Sequence, residues 1–227
     1  MSNPAVIGII EFGSTARNDA DQYSDKDIFA VVEDVDADVL DTLRTTIAMD
    51  YDTVSGSVAC YSASSFDQMI AHGSLFTWHL RLEGRILSDP DGVFMEAFAN
   101  LVPYDGFARD LERFREIYTD VCEAYFESNI LDAFERHVLF IVVRNVCMLL
   151  TSRRGQPTFG RRTVIPTARQ LYPELPLSVS VAESLGAGHL TYMRNFSVMP
   201  SHAICLDPEI VVREVGALLD FAGEVLQ

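Results

Sequence analysis

Lysine is almost missing from this chain. Lys26 is the only one, and the other sixteen basic residues are arginines, set against 33 acids. The resulting formal net charge of −16 repels phosphate backbones and disfavours broad nucleic-acid binding. It suits a cationic or protein acceptor, although net charge speaks first to solubility. No apolar run reaches 18 residues, and the opening "MSNPAVIGIIEFGS" has no basic stretch ahead of its apolar one. Neither a membrane span nor a signal peptide is expected. Cys60, Cys122, Cys147 and Cys205 lie far apart with no CxxC among them, which argues against a zinc site and a disulfide framework. Reduced thiols in a cytoplasm are the expectation. The five histidines, His72, His79, His137, His189 and His202, form no HExxH, so a zinc enzyme has no support. Internal repeats and low-complexity tracts are also missing.

What is present is apolar sequence in short, punctuated blocks. Hydrophobic residues make up 48% of the 227, enough to build a core throughout one large domain or two small ones. "AVIGIIEF" (5–12), "DKDIFAVVE" (25–33), "SVACYS" (57–62) and "RILSD" (85–89) read as strands. Between them, "DADVLDTLRTTIAM" (36–49) has its apolar residues at helical spacing behind acids that complement a helix dipole. Ser14 is a plausible N-cap for a short helix. "SSFDQMIAHG" opens on a serine cap and ends on Gly73, and "SLFTWHLRLEG" repeats that logic from Ser74 to Gly84. On that helix, Trp78 and His79 read as packing residues. Strands joined through helices predict a small mixed sheet.

Past Pro103 the pattern turns helical, over 106–127 and 129–152, with Val138, Ile141, Val142, Asn145 and Leu149 on one stripe. Shorter helices are predicted over 162–172, 178–195 and 207–226, with prolines as breakers or starts. The expected fold class is α+β: a small mixed sheet flanked by helices over residues 1–98, then an all-α domain over 99–227. The linker falls near residues 89–105.

The chemistry concentrates in "FGSTARNDADQYSDKDIFAVVED", residues 12–34. A glycine where a strand meets a helix lets backbone approach a phosphate, because no Cβ intervenes. Backbone N–H groups at a helix start favour an anion, and the Ser14 hydroxyl can donate to one. Asp25 and Asp27, two apart on an extended chain, project from one face about 6.5–7 Å apart. That arrangement suits hard cations that share their shell with substrate phosphates. Two such cations would activate an attacking oxygen and stabilise the departing one. Taken alone, Gly-Ser is a turn and Asp-x-Asp a solvated strand end. The combination is more restrictive, because Asp is depleted in strands. Together the parts point to nucleotidyl transfer.

This stretch resembles the signature of the DNA polymerase β-type nucleotidyltransferase superfamily. The likeness is to its small prokaryotic branch, which includes aminoglycoside, lincosamide and "minimal" nucleotidyltransferases. The signature covers some twenty residues, and the compatible α/β pattern about ninety. The resemblance implies that Gly13, Ser14 and Ser24 position a triphosphate, with Arg17 as a basic residue near the phosphates. It implies that Asp25 and Asp27 hold Mg²⁺ (or Mn²⁺). AMP transfer from ATP to a hydroxyl of a small-molecule or protein acceptor is the expected reaction. The family commonly has glycine after that arginine; here Asn18 stands in its place. The family also takes a third carboxylate, the expected base, from a neighbouring strand. In this chain that position falls on or near Ser57, and 57–62 contains no acid. Asp52, in the preceding loop, is the candidate replacement, with Glu83 as another supplier although "RLEGRIL" reads more simply as a helix end. The missing acid leaves a second expectation open, a catalytically weak nucleotide-binding regulator or antitoxin-like partner. The acidic surface leaves a third, an enzyme that modifies a polycationic antibiotic.

Two features lie outside that signature. Arg153, Arg154, Arg161 and Arg162 bracket "GQPTFG", and arginine forks bind phosphate bidentately; the loop either reaches nucleotide or acceptor or is a solubilising loop paired with local acids. "VVRNVCMLL" loosely resembles the Arg-Asn of HEPN-type helical domains. A HEPN ribonuclease also needs a histidine four to six residues after that arginine, and none follows Arg144. Arg144 and Asn145 are then expected to be helix-packing or, less readily, cleft residues.

Overall fold

The structure is a computed structural model that describes residues 6–20, 25–194 and 206–226. The chain divides into two compact units, Met1–Asp105 and Gly106–Gln227. The division lies beyond residue 98 because Phe94 and Leu101 are buried in the core of the first unit.

The first unit runs β1 (Val6–Phe12), α1 (Gly13–Ala16), β2 (Asp27–Val32), α2 (Ala37–Asp50), a 3₁₀ turn at Ser55–Ser57, β3 (Val58–Ser62), α3 (Ala63–His72), α4 (Leu75–Glu83), β4 (Arg85–Ser88) and α5 (Val93–Ala99). Among the described residues the strands form one mixed sheet in the order β3-β2-β1-β4. β1 is antiparallel to both β2 and β4, whereas β3 runs parallel to β2. Parallel neighbours need a crossover, and α2 supplies it.

Because successive strand residues alternate faces, the apolar runs of β1 and β2 feed two cores. Ile9, Ile28, Ala30 and Val32 face α2 through Leu43 and Ile47. Ile10, Phe29 and Val31 face Phe66, Ile70, Leu80 and Phe94 of α3, α4 and α5. Burial on both sides explains why "IFAVV" (28–32) is continuously apolar rather than alternating.

Several helix ends differ from the sequence reading. Ser14 is not the cap of α1. Phe12 occupies that position without a side-chain bond, and Gly13 is the first helical residue. The cap of α3 is Ser62, whose hydroxyl accepts from the Ser65 N–H. Gly73 is a left-handed C-cap and Ser74 caps α4, as their spacing predicts.

The second unit is helical: α6 (Phe107–Ser128), α7 (Ala133–Arg153), α8 (Val164–Leu171), α9 (Val179–Arg194) and α10 (Pro208–Val225). α7 begins with a capping box between Asp132 and Glu135. It packs against α6, α8, α9 and α10, so it is apolar nearly all round. Leu139, Val142, Val143, Val146 and Leu150 are fully buried. The stripe that spacing singles out is the less covered side, since Val138, Ile141 and Asn145 are only half-buried. At the α7–α9 crossing a Cβ on Gly188 would run into Arg136. Arg136 is itself buried and donates to Leu131 O (3.1 Å) and Ser184 Oγ (3.1 Å). Arg144 donates to the Phe159 carbonyl at 2.8 Å, tying α7 to the following loop. Among the described residues no helix is long and apolar enough to cross a membrane. Cys60, Cys122 and Cys147 are free thiols, while Cys205 and His202 lie outside the described residues.

Phe94 is fully buried, and its ring lies 5.5 Å from that of Phe66 and 6.2 Å from that of Phe29. Phe94→Ala is expected to cost about 3–5 kcal/mol of stability, read as a shift in the denaturant midpoint.

Candidate active site

β1 ends where β2 begins. Phe12 is the register partner of Asp27, so the turn that leaves β1 lies beside the acid that opens β2. Gly13 adopts φ +75°, a region that L-residues enter only at a cost. A Cβ there would collide with the Asp27 carboxylate. The missing side chain is therefore required twice, by backbone conformation and by the neighbouring acid. The turn closes with Gly13 O accepting from Arg17 N (3.3 Å) and Ser14 O from Asp19 N (3.0 Å). Thr15 Oγ1 donates to the Asp25 carbonyl at 3.3 Å, which links the turn to the segment just ahead of β2. Asp25 is exposed and Asp27 half-buried. Asp27 shares its strand face with Phe29 and Val31 by the two-residue period. Gly13, Ser14, Asp25 and Asp27 thus meet at one end of the central strand pair; Ser24 lies outside the described residues.

Asn18 has φ +59°. A left-handed position is where glycine is easiest and asparagine is the usual substitute, so Asn18 keeps the turn that a glycine would make.

Arg17, the basic residue expected near the phosphates, is paired within the protein. Its Nη1 donates to Glu83 Oε2 at 2.8 Å, and its Nε lies 3.2 Å from Asp19 Oδ2. His79 Nε2 stands 3.2 Å from the same Glu83 oxygen and 3.5 Å from Arg17 Nη1. His79 is buried, and its ring meets Phe12 edge-on at 5.7 Å. Burial by itself would raise the Glu83 carboxyl. Hydrogen bonds and charge from His79 and Arg17 outweigh it and hold the carboxyl below its usual value. The i, i+4 spacing of His79 and Glu83 on α4 was the available sequence signal for this cluster. Another acid, Glu11, is buried and pairs with Arg85. It lies opposite Ile28 in register, on the α2 side of the sheet.

Asp52 sits at φ +50° in the loop after α2, exposed to solvent. That loop is fastened to the residue between the two aspartates. Thr53 Oγ1 donates to Lys26 O at 2.6 Å, and Lys26 Nζ donates to Tyr51 O at 3.2 Å. Ser57 immediately precedes the Ile28–Val58 pair and shares the parity of Ala59 and Tyr61. It therefore stands at the register position beside Asp27, where the resemblance asks for a third acid. Among the described residues, no three His, Cys, Asp or Glu side chains are grouped to hold a metal ion.

Residues 2–74 match the family model described as "Nucleotidyltransferase domain". This stretch is a polymerase β-like nucleotidyltransferase domain. A search of curated proteins finds no match to the chain. The matched part of the nucleotidyltransferase domain contains Gly13, Asp25, Asp27, Asp52 and Ser57, and ends before His79 and Glu83. The donor set fits a hard divalent cation: the carboxylates of Asp25 and Asp27 stand at the start of β2, and that of Asp27 fills the space beside the bare Gly13.

A group whose pKa falls on folding contributes stability above its unfolded pKa and loses it as pH drops through the folded value. Glu83→Gln is expected to lower stability at neutral pH by roughly 1–2 kcal/mol. The gap from the parent protein should close as pH falls below about 4.3, as followed by denaturant unfolding across pH.

Proposed function

We propose that the protein transfers a nucleoside monophosphate, AMP from ATP, to a hydroxyl of a small-molecule or protein acceptor. The observation that carries this reading is the contact between the side-chain-free Gly13 and the Asp27 carboxylate, which sets a phosphate-binding turn beside an acid. Ser14 and the backbone of the turn hold the triphosphate. Asp25 and Asp27 hold Mg²⁺ or Mn²⁺. The bound cation supplies charge neutralisation of the phosphates and a lowered pKa for the acceptor hydroxyl. Arg17 contributes a fixed positive charge beside the turn, set in place by Glu83 and Asp19. The acceptor oxygen forms a bond to the α-phosphorus, the bond to the β-phosphate oxygen breaks, and pyrophosphate leaves. Asp52, on the loop fastened to Lys26, is the chain's candidate to take the hydroxyl proton. The free thiols and the acidic surface fit a reducing cytoplasm.

Ser57 favours a second reading. With serine beside Asp27, the site binds nucleotide and transfers slowly, as a regulator or antitoxin-like partner would. Losing one general base typically slows a reaction by about 10²–10⁴-fold rather than abolishing it.

Incubation with each labelled nucleoside triphosphate, Mg²⁺ or Mn²⁺ and cell lysate is expected to move label onto an acceptor. Asp25→Ala and Asp27→Ala should each remove that transfer with the circular dichroism unchanged. Full activity in either variant refutes the assignment. Calorimetric affinity for ATP and Mg²⁺ should fall at least about tenfold in Gly13→Ala, because the new methyl group displaces the acid. Under the first reading Asp52→Asn slows transfer by roughly 10²-fold or more. Under the second, Asp52→Asn changes nothing and Ser57→Asp raises the rate.

A further inference from the structure

The four arginines that bracket "GQPTFG" do not act as one cluster. Arg153 lies over the Phe107 ring, 5.7 Å from its centroid, and Arg154 over the Tyr172 ring at 4.8 Å. Arg161 and Arg162 instead line a cavity of about 360 Å³ with Arg169. The cavity lies wholly within the second unit, between the start of α8 and the face of α9. Its floor is apolar, with Phe140 and Ile165 buried and Leu190 half-buried beside them. Val179 is exposed, with 53% of its surface open, and also lines it. Among the described residues of its lining, three arginines stand against one acid, Glu183, reversing the sign of a chain that carries 33 acids and 17 basic residues.

Gly186 gives the second, independent observation. It sits inside α9, where glycine weakens a helix relative to alanine. Gly188, two residues on, has a packing reason, since a Cβ there would strike Arg136. Among the described residues an added Cβ at Gly186 would meet only Phe140 Cε2, at an ordinary 3.8 Å. Gly186 also lines the cavity, so its bare position leaves that part of the wall open. Arg169, which also lines the cavity, donates to the Leu177 carbonyl.

We propose that this cavity is a binding site for a small amphipathic organic anion, its apolar body on Phe140, Ile165 and Leu190 and its carboxylate or phosphate toward Arg161, Arg162 and Arg169. A volume of this size accommodates a compact ligand of the kind that fills small-molecule sites. Arginine forks supply paired donors to a planar anion. The site shares no residue with the nucleotidyltransferase turn and does not depend on the activity assigned to it.

The test uses the full-length protein and anilinonaphthalene sulfonate, an amphipathic anion whose fluorescence rises on binding. Saturable binding is expected. Octanoate should displace the probe at concentrations roughly tenfold below those needed for the neutral octanol. Gly186→Leu fills the cavity and Arg162→Gln removes an exposed rim charge. Each should weaken probe binding roughly tenfold with the unfolding midpoint unchanged. If Gly186→Leu does not fold, Arg162→Gln decides. Absence of saturable binding, equal displacement by octanol and octanoate, or parental affinity in the folded variants overturns the proposal.

Discussion

The turn between β1 and β2 closes as it does because residue 13 has no side chain. Gly13 is bare where a Cβ would overlap the Asp27 carboxylate, and its positive φ is open chiefly to glycine. Much else in the first unit follows from that fit. It lets β1 turn away at the point where β2 begins, in the antiparallel register that pairs Phe12 with Asp27. It places backbone N–H groups and an acid at the same end of the two central strands. It also sets Arg17 one residue past the short helix, where Glu83 and Asp19 receive its guanidinium. A phosphate cradle and an acid pair are separate, weak features in a sequence; the glycine makes them one place.

The sheet holds this end of its central strands by being buried on both sides. β2 is apolar from Ile28 to Val32 because α2 covers one face and α3, α4 and α5 cover the other. Asp25 and Asp27 stand at the mouth of that strand, where the chain emerges from the core. Carboxylates at such a point keep access to water and ligand while their backbone is fixed by the ladder. α4 adds a brace from outside the matched family region: His79 packs on Phe12 and shares Glu83 with Arg17.

The second unit follows a different logic. α7 is surrounded by other helices and therefore lost the amphipathic signature that marks a surface helix. Its polar residues serve as ties. Arg136 fastens α7 to the start of its own capping segment and to α9, and Arg144 fastens it to the loop at Phe159. The Arg-Asn pair in "VVRNVCMLL" is accounted for in part by that packing, since Arg144 reaches a backbone carbonyl.

By itself the sequence determined most of the order and kind of the elements, because strand and helix periods are local and Gly, Pro and Ser mark their ends; it read 89–105 as a linker where α5 packs Phe94 into the core. It also determined the Gly13, Asp25, Asp27 constellation, whose members lie within one turn and one strand of each other, and the lack of an acid beside Asp27, which the β2–β3 pairing places at Ser57. It misplaced the α1 and α3 caps by two residues each: α1 starts on Gly13 behind Phe12 with no side-chain cap, and at α3 Ser62 rather than Ser64 supplies the hydroxyl. Only the tertiary structure decided that Arg17 binds Glu83, a partner 66 residues away, that the arginine loop splits between two aromatic rings and a cavity, and that α7 lies at the centre of its unit. These are matters of which faces meet, and residues far apart along the chain carry no periodic signal of each other until packing brings them into contact.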